Sequence, residues 1–151
     1  MSTLWFVVVL VAGILAVLVV AMIPVVVWLR RRGDRITADM ADDLRHETVL
    51  RAPERALYRG ATAPGFPAVK GNGVLALTTS AVHFRPYAGT AFVIPVAEVR
   101  STREAKVFRG AVTGGRTHLV VGTRAGEVAF FVADTAAWLR DVEEVAAAAG
   151  S

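Results

Sequence analysis

Leu4–Leu29, LWFVVVLVAGILAVLVVAMIPVVVWL, runs for 26 positions without a charged side chain. As a helix it would extend about 39 Å at 1.5 Å per residue, against a hydrocarbon core of roughly 30 Å. That suffices to cross a membrane once, with some tilt or with its ends in the interface. Trp5 and Trp28 stand near opposite ends, where amphipathic rings favour the headgroup level. Pro24 removes one helical hydrogen bond, which membrane helices tolerate. A cleaved signal peptide would show a basic n-region and a shorter apolar run. Here Met1-Ser2-Thr3 carries no basic side chain, and the cations follow the span. Arg30, Arg31 and Arg32, with Arg35 close behind, lie directly after Leu29. By the positive-inside rule the N-terminus is expected outside, with everything after Leu29 in the cytoplasm. The expectation is a single-pass anchor in the cell (inner or plasma) membrane, whose first partner is the bilayer. Ala12 and Ala16 form a small-xxx-small pair beside Gly13, a pattern common in such spans and insufficient to assign helix pairing.

The 151 residues allow one domain plus this appendage. There are no cysteines, which excludes disulfides, thiolate metal sites and cysteine nucleophiles and leaves the compartment open. The expected division is a transmembrane helix over 4–29, a basic juxtamembrane segment and linker helix over 30–52, and a folded domain over 53–150. The linker helix rests on Ile36, Met40 and Leu44, which recur every four positions with acids between them, and on Thr37 or Asp39 as a cap. Pro53 should stop any helix at or before Ala52.

From Glu54 to Ala133 the apolar period changes to two. The expected strands are Ala56–Arg59, Val74–Thr78, Ala81–Tyr87, Phe92–Val96, Ala105–Val112, His118–Thr123 and Glu127–Val132. Pro64, Gly65 and Pro67 make a rigid loop after the first strand, and Gly114-Gly115 signals a hairpin. In VLALTTSAVHF, residues 74–84, Leu75, Leu77, Val82 and Phe84 should line the core, with Thr79-Ser80 as the turn and His83 and Arg85 outward. Asp134 is a good N-cap, and Ala136, Trp138, Leu139 and Val142 then lie at helical spacing. A helix of this kind plugs the open end of a small curved sheet.

The order of these pieces resembles the pleckstrin-homology (PH) superfold, in particular its GRAM-like and bacterial PH-like branches. The resemblance is carried by Gly73–Thr78 (GVLALT), Val82-His83-Phe84, Ile94–Val99 (IPVAEV), Leu119–Thr123 (LVVGT), Gly126–Phe130 (GEVAF) and the Trp138 helix. It covers roughly residues 53–149 and implies a mainly β fold, a PH-like seven-stranded partly open barrel capped by a C-terminal α-helix. PH-like domains often hold phosphoinositide headgroups on basic residues of the first hairpin and its loop. Here the loop APGFPAVKGN offers Lys70, with Arg59 and Arg85 as helpers on neighbouring strands, whereas a headgroup site needs several converging cations.

Residues 53–133 hold ten basic side chains against four acidic ones, so the domain is positively polarised. Arg100, Arg103, Lys106 and Arg109 form the densest group. Read as one continuous strand, Arg103, Ala105, Val107 and Arg109 share a face and Lys106 takes the other. Together with Arg59, Lys70 and Arg85 these are the candidate lipid- or partner-contacting residues, and Trp5, Trp28, Arg30, Arg31 and Arg32 are the membrane-interface anchors. Aromatics are not interleaved with the cations, so no nucleic acid is expected. No catalytic residue, metal site or cofactor is expected. Ser80 lacks a nucleophile elbow, and Gly71-Asn72-Gly73 opens a strand instead of a helix. His83 and His118 lack a second ligand at metal spacing and are expected as surface strand residues. The function expected is an interaction module that docks a protein partner at the cytoplasmic face of the membrane. The alternatives are an anionic-lipid surface sensor using the basic strands, or an accessory subunit of a membrane transport or envelope complex.

Overall fold

The computed structural model describes residues 2–112 and 114–151. Met1, the first residue of the short uncharged lead into the span, lies outside them. The chain forms two compact units that part between Asp34 and Arg35.

A single helix, α1 (Thr3–Asp43), carries the apolar run and is long and apolar enough to cross a membrane. The linker helix expected as a separate element is the end of this same helix, followed by a 3-10 turn at Leu44–His46. No glycine or proline interrupts 34–43, so nothing in the sequence breaks the hydrogen-bond ladder there.

The second unit is mainly β. Its strands are β1 (Val49–Ala61), β2 (Gly71–Thr78), β3 (Ala81–Pro86), β4 (Phe92–Pro95), β5 (Val99–Ala105), β6 (Val107–Phe108), β7 (Ala111–Val112), β8 (His118–Thr123) and β9 (Glu127–Phe131), followed by α2 (Thr135–Ala149). Seven of them make one open sheet in the order β4-β3-β2-β1-β9-β8-β5, with every neighbouring pair antiparallel. β6 and β7 pair only with each other.

Three strand expectations change. β1 starts at Val49, not Ala56, and passes through Pro53. Its pairing with β2 slips between Val49 and Arg51 and again between Arg51 and Glu54, so Pro53 sits in a bulge where no ladder donor is required. The partner of β8 is β5, a strand of mixed polar and charged residues, and the expected strand 105–112 is instead split at Lys106. Gly114-Gly115 turn the chain between β7 and β8, which do not pair with each other, while the hairpin turn lies at Arg109-Gly110, both with positive φ. That geometry suits the twist of a two-residue hairpin loop.

The main core lies between one sheet face and α2. Leu75, Leu77, Val82, Phe84, Leu119, Val121, Val128 and Phe130 meet Trp138, Val142 and Val145 there, as period-two and helical spacing require. At one end Tyr58, Phe84, Phe92 and Phe130 pack with ring centroids 5.2–6.1 Å apart. The opposite face of β2 is also covered, because Val74 and Ala76 are buried against Met40 and Leu44. The segment that ends α1 therefore belongs to the hydrophobic core of the domain.

Gly73 is where β2 and β3 approach most tightly: a Cβ there would lie 2.5 Å from the Arg85 carbonyl oxygen and from the Phe84 ring. Gly73→Ala is expected to destabilise the domain by about 1–3 kcal/mol, the range for overpacking. Thermal unfolding of the full chain in detergent, followed by the near-ultraviolet signal of Trp138, would measure it.

Candidate functional site

The cations nominated from the sequence do not form one face. Arg85 on β3 ion-pairs with Asp43 at 2.6 Å. Arg103 on β5 forms a two-pronged bond to Glu127 on β9, at 2.9 and 2.8 Å. Each guanidinium–carboxylate bond favours the charged forms of both groups, so Arg103 is raised and the Glu127 carboxyl is held below its usual value. Arg59 is half-buried, and its Nε has no partner among the described residues. Arg100, Lys106 and Lys70 are exposed and, among the described residues, unpaired.

Arg109 does not continue the face of Arg103 as the unbroken strand implied, because β5 ends at Ala105 and Arg109 occupies the β6–β7 turn. From there its Nη1 donates to the Ala61 carbonyl at 2.8 Å. The same nitrogen lies 3.4 Å, and the Lys70 Cε 3.7 Å, from the point a Gly60 Cβ would occupy. The β1–β2 loop and the β6–β7 turn therefore bring two cations together. Three exposed valines stand on these two segments: Val69, 81% exposed, and the cross-strand pair Val107 and Val112, at 54% and 66%. Tyr58 fixes the loop by donating to the Pro67 carbonyl at 2.8 Å. Burial raises its phenol above the usual value, against the pull of Arg109.

The sheet has two edges of different character. β4 has four residues and ends in Pro95, which has no N–H to offer an incoming strand. β5 has seven residues. Its register with β8 slips only between Val99 and Ser101 and is unbroken from Ser101 to Ala105. Beside it runs an open groove of about 450 Å³ between Val99, Arg100, Ser101 and Thr102 and the α2 residues Glu143, Ala146 and Ala147. Thr102 spans it by donating to the Glu143 carboxylate at 2.8 Å. α2 is held by its N-cap, where the Asp134 carboxylate accepts from Ala137 N–H at 3.0 Å. A further tie is Arg51, 2.8 Å from Asp141 and stacked 5.0 Å over the Trp138 ring, whose Nε1 donates to Glu54.

The histidines differ from expectation. His118 is fully buried, with Nδ1–H donated to the Ala105 carbonyl at 3.0 Å. β8 is covered on both faces, so even its polar position lies inside. His83 is half-buried, with Nε2 3.4 Å from Glu47 and 3.3 Å from the Thr78 hydroxyl. Ser80 donates to the same Glu47 carboxylate at 3.0 Å. The Thr78 and Ser80 hydroxyls, helped by His83, hold the Glu47 carboxyl below its usual value. Serine and histidine thus both converge on Glu47, and His83 meets the Thr78 hydroxyl and the acid through the same Nε2, whereas a nucleophilic relay uses one ring nitrogen for each. Among the described residues no three His, Asp or Glu side chains gather to hold a metal ion.

In the first unit Trp5 and Trp28 are 23 residues apart on α1, or about 34 Å along the axis, close to the thickness of a hydrocarbon core. Arg32 lies over the Trp28 ring at 5.3 Å, one turn further on, and Arg30 and Arg31 share that turn.

No protein-family model matches the chain, and no curated protein matches it. A solved structure, the crystal structure of the C-terminal domain of an unknown protein from Leishmania infantum, is similar over 69% of this chain and 89% of its own, at 20% identity and a TM-score of 0.46.

Glu47 and Glu127 contribute to the acid response. Both carboxyls have folded-state values below the ordinary 4.5, so their stabilisation is complete above that value and is lost as pH falls below it through the lowered values. Glu127→Gln should therefore flatten the acid limb of a stability–pH curve below about pH 4.5, the difference in slope from the unsubstituted chain reporting this one carboxyl.

Proposed function

We propose that the chain is a membrane-anchored PH-like interaction module, docking a protein partner at the cytoplasmic face of the cell membrane. The strand order supports the PH-like reading: the first strand pairs with both the second and the last, and a helix follows and packs on the core. The anchor reading draws on the length of α1 and on Arg30, Arg31 and Arg32 at the end of its apolar run. The observation that carries docking is the seven-residue β5 edge beside the α2 groove, on a sheet whose other edge is the four-residue β4 ending in Pro95. Exposed strand edges are templates for another chain. Three of the seven nominated cations are meanwhile engaged inside the domain: Arg85 with Asp43, Arg103 with Glu127, and Arg109 with the Ala61 carbonyl.

A second reading has its own observation. Lys70 and Arg109 converge beside Val69, Val107 and Val112, a combination that suits an anionic lipid surface, where each cation reaching the leaflet contributes about 1 kcal/mol.

Two measurements separate these readings. Because the chain has no cysteine, Ser2→Cys and Ser151→Cys report topology directly. An impermeant maleimide should label the first in intact cells and the second only after permeabilisation. In native membranes a photoreactive residue at Ser101 should give one protein adduct of constant mass, lost with Ala147→Trp. Lipid adducts at Val69 and Val107 with none at Ser101, abolished by Lys70→Glu with Arg109→Glu, would establish the lipid surface instead.

A further inference from the structure

We infer that the end of the sheet between the β1–β2 and β3–β4 loops is a binding cavity for a small amphipathic anion, its apolar chain inside and its charged head at Lys70. This goes beyond both readings above and involves no residue of β5 or α2. The cavity follows from the strand pattern. Tyr58 belongs to the core and stands directly opposite Gly71, so Gly71 holds an inward position. Gly73, Leu75 and Leu77 continue that face at every second residue. On β3, Pro86 stands opposite Gly73 and Phe84 opposite Leu75, and Phe92 on β4 stands opposite Phe84. At this end β2 therefore presents two glycines inward. A Cβ at Gly73 would strike the Phe84 ring, whereas one at Gly71 would meet nothing within 4 Å. The space left there is a cavity of about 230 Å³.

Its lining fits an apolar chain. Tyr58, Phe84 and Phe92 wall it, with ring centroids 5.2–5.7 Å apart, and Pro67, Val69 and Pro86 close the sides. The Tyr58 hydroxyl already donates to the Pro67 carbonyl. An enclosed water needs about two to four polar partners, and an apolar cavity of about 150 Å³ takes up benzene instead. A space of 230 Å³ accepts a somewhat larger group, a short alkyl chain or a substituted ring.

The mouth carries the charge. Lys70 is the one charged residue lining the cavity, and the Arg109 guanidinium comes beside it over Gly60. No acidic residue occurs between Glu54 and Glu98, so neither loop brings a carboxylate, and 105–126, which carries Arg109, holds none either. The Arg109 acceptor is the Ala61 carbonyl, a neutral group that leaves its charge uncompensated. A carboxylate or phosphate head is therefore complementary and an ammonium is not. A free amphiphile and a lipid of the bilayer both offer this chemistry, an anionic head on an apolar chain.

The test uses the full chain in nanodiscs of neutral lipid, titrated with octanoate, octyl phosphate, octanol or octylammonium and read by amide exchange. Octanoate and octyl phosphate should slow exchange within 69–71 and 87–92. Octanol should bind roughly three- to tenfold more weakly, and Lys70→Met should bring octanoate down to the octanol value while leaving octanol unchanged. Gly71→Val places a side chain in the cavity and should abolish protection by every probe, with the exchange of α2 amides unchanged. Nanodiscs doped with phosphatidylglycerol, without free probe, separate the two sources. Protection of the same amides that disappears with Gly71→Val assigns the ligand to the bilayer, and octanoate binding without such protection assigns it to a free amphiphile. Octylammonium binding as tightly as octanoate would overturn the anionic head. No protection by any probe, or protection that survives Gly71→Val, would overturn the cavity. Survival of that kind with phosphatidylglycerol, lost with Lys70→Glu plus Arg109→Glu, would leave the lipid surface of the second reading in its place. None of these outcomes bears on the protein adduct at Ser101, so docking stands or falls separately.

Discussion

The domain depends on the double pairing of β1. This one strand of 13 residues bonds to β2 along its first part and to β9 along its last, joining the early hairpins to the late ones. Its register slips let it do both. Bulges near Arg51 and Pro53, and again between Tyr58 and Gly60, turn the strand while its side chains still alternate into the core. Ala56 and Tyr58 enter the main cluster, and Arg51 and Glu54 reach the helix that closes it. Without β1 the sheet would fall into two three-stranded pieces, β4-β3-β2 and β9-β8-β5.

The covering of β2 on both faces follows from that arrangement. Leu75 and Leu77 meet the main cluster, while Val74 and Ala76 meet Met40 and Leu44. A strand so enclosed reads in the sequence as a nearly continuous apolar run, which GVLALT is. Glu47 then ties the entry of β1 to the β2–β3 turn through Ser80 and His83, so the hydroxyls and the imidazole of VLALTTSAVHF hold the turn in place.

Much of the core was legible from periodicity, because period two and helical spacing need no knowledge of partners. Leu75, Leu77, Val82, Phe84, Trp138 and Val142 were assigned to the interior that way and lie there. The cap at Asp134 was legible for the same reason, being decided within four residues. β5 was not, since Arg100, Ser101, Thr102, Arg103 and Glu104 carry no apolar alternation, and only pairing with β8 makes them a strand. His118 was misplaced because burial of a polar residue depends on what covers both faces of its strand, which lies elsewhere in the chain. The candidate site was the least legible part. The cations were correctly singled out as a charge excess, but their division into paired and unpaired members depends on partners such as Asp43, Glu127 and the Ala61 carbonyl, 24–48 positions away.

The sequence by itself therefore determined what local chemistry can enforce: one apolar helix long enough for a membrane, its basic flank, a β domain with a defined inward face, and a capped C-terminal helix. The tertiary structure alone decided which strand stands at the edge, which cations keep their charge free, and where a groove opens beside them. The reason is that edges, ion pairs and clefts arise from residues distant in the chain, and their energies appear only once the sheet has closed around its order.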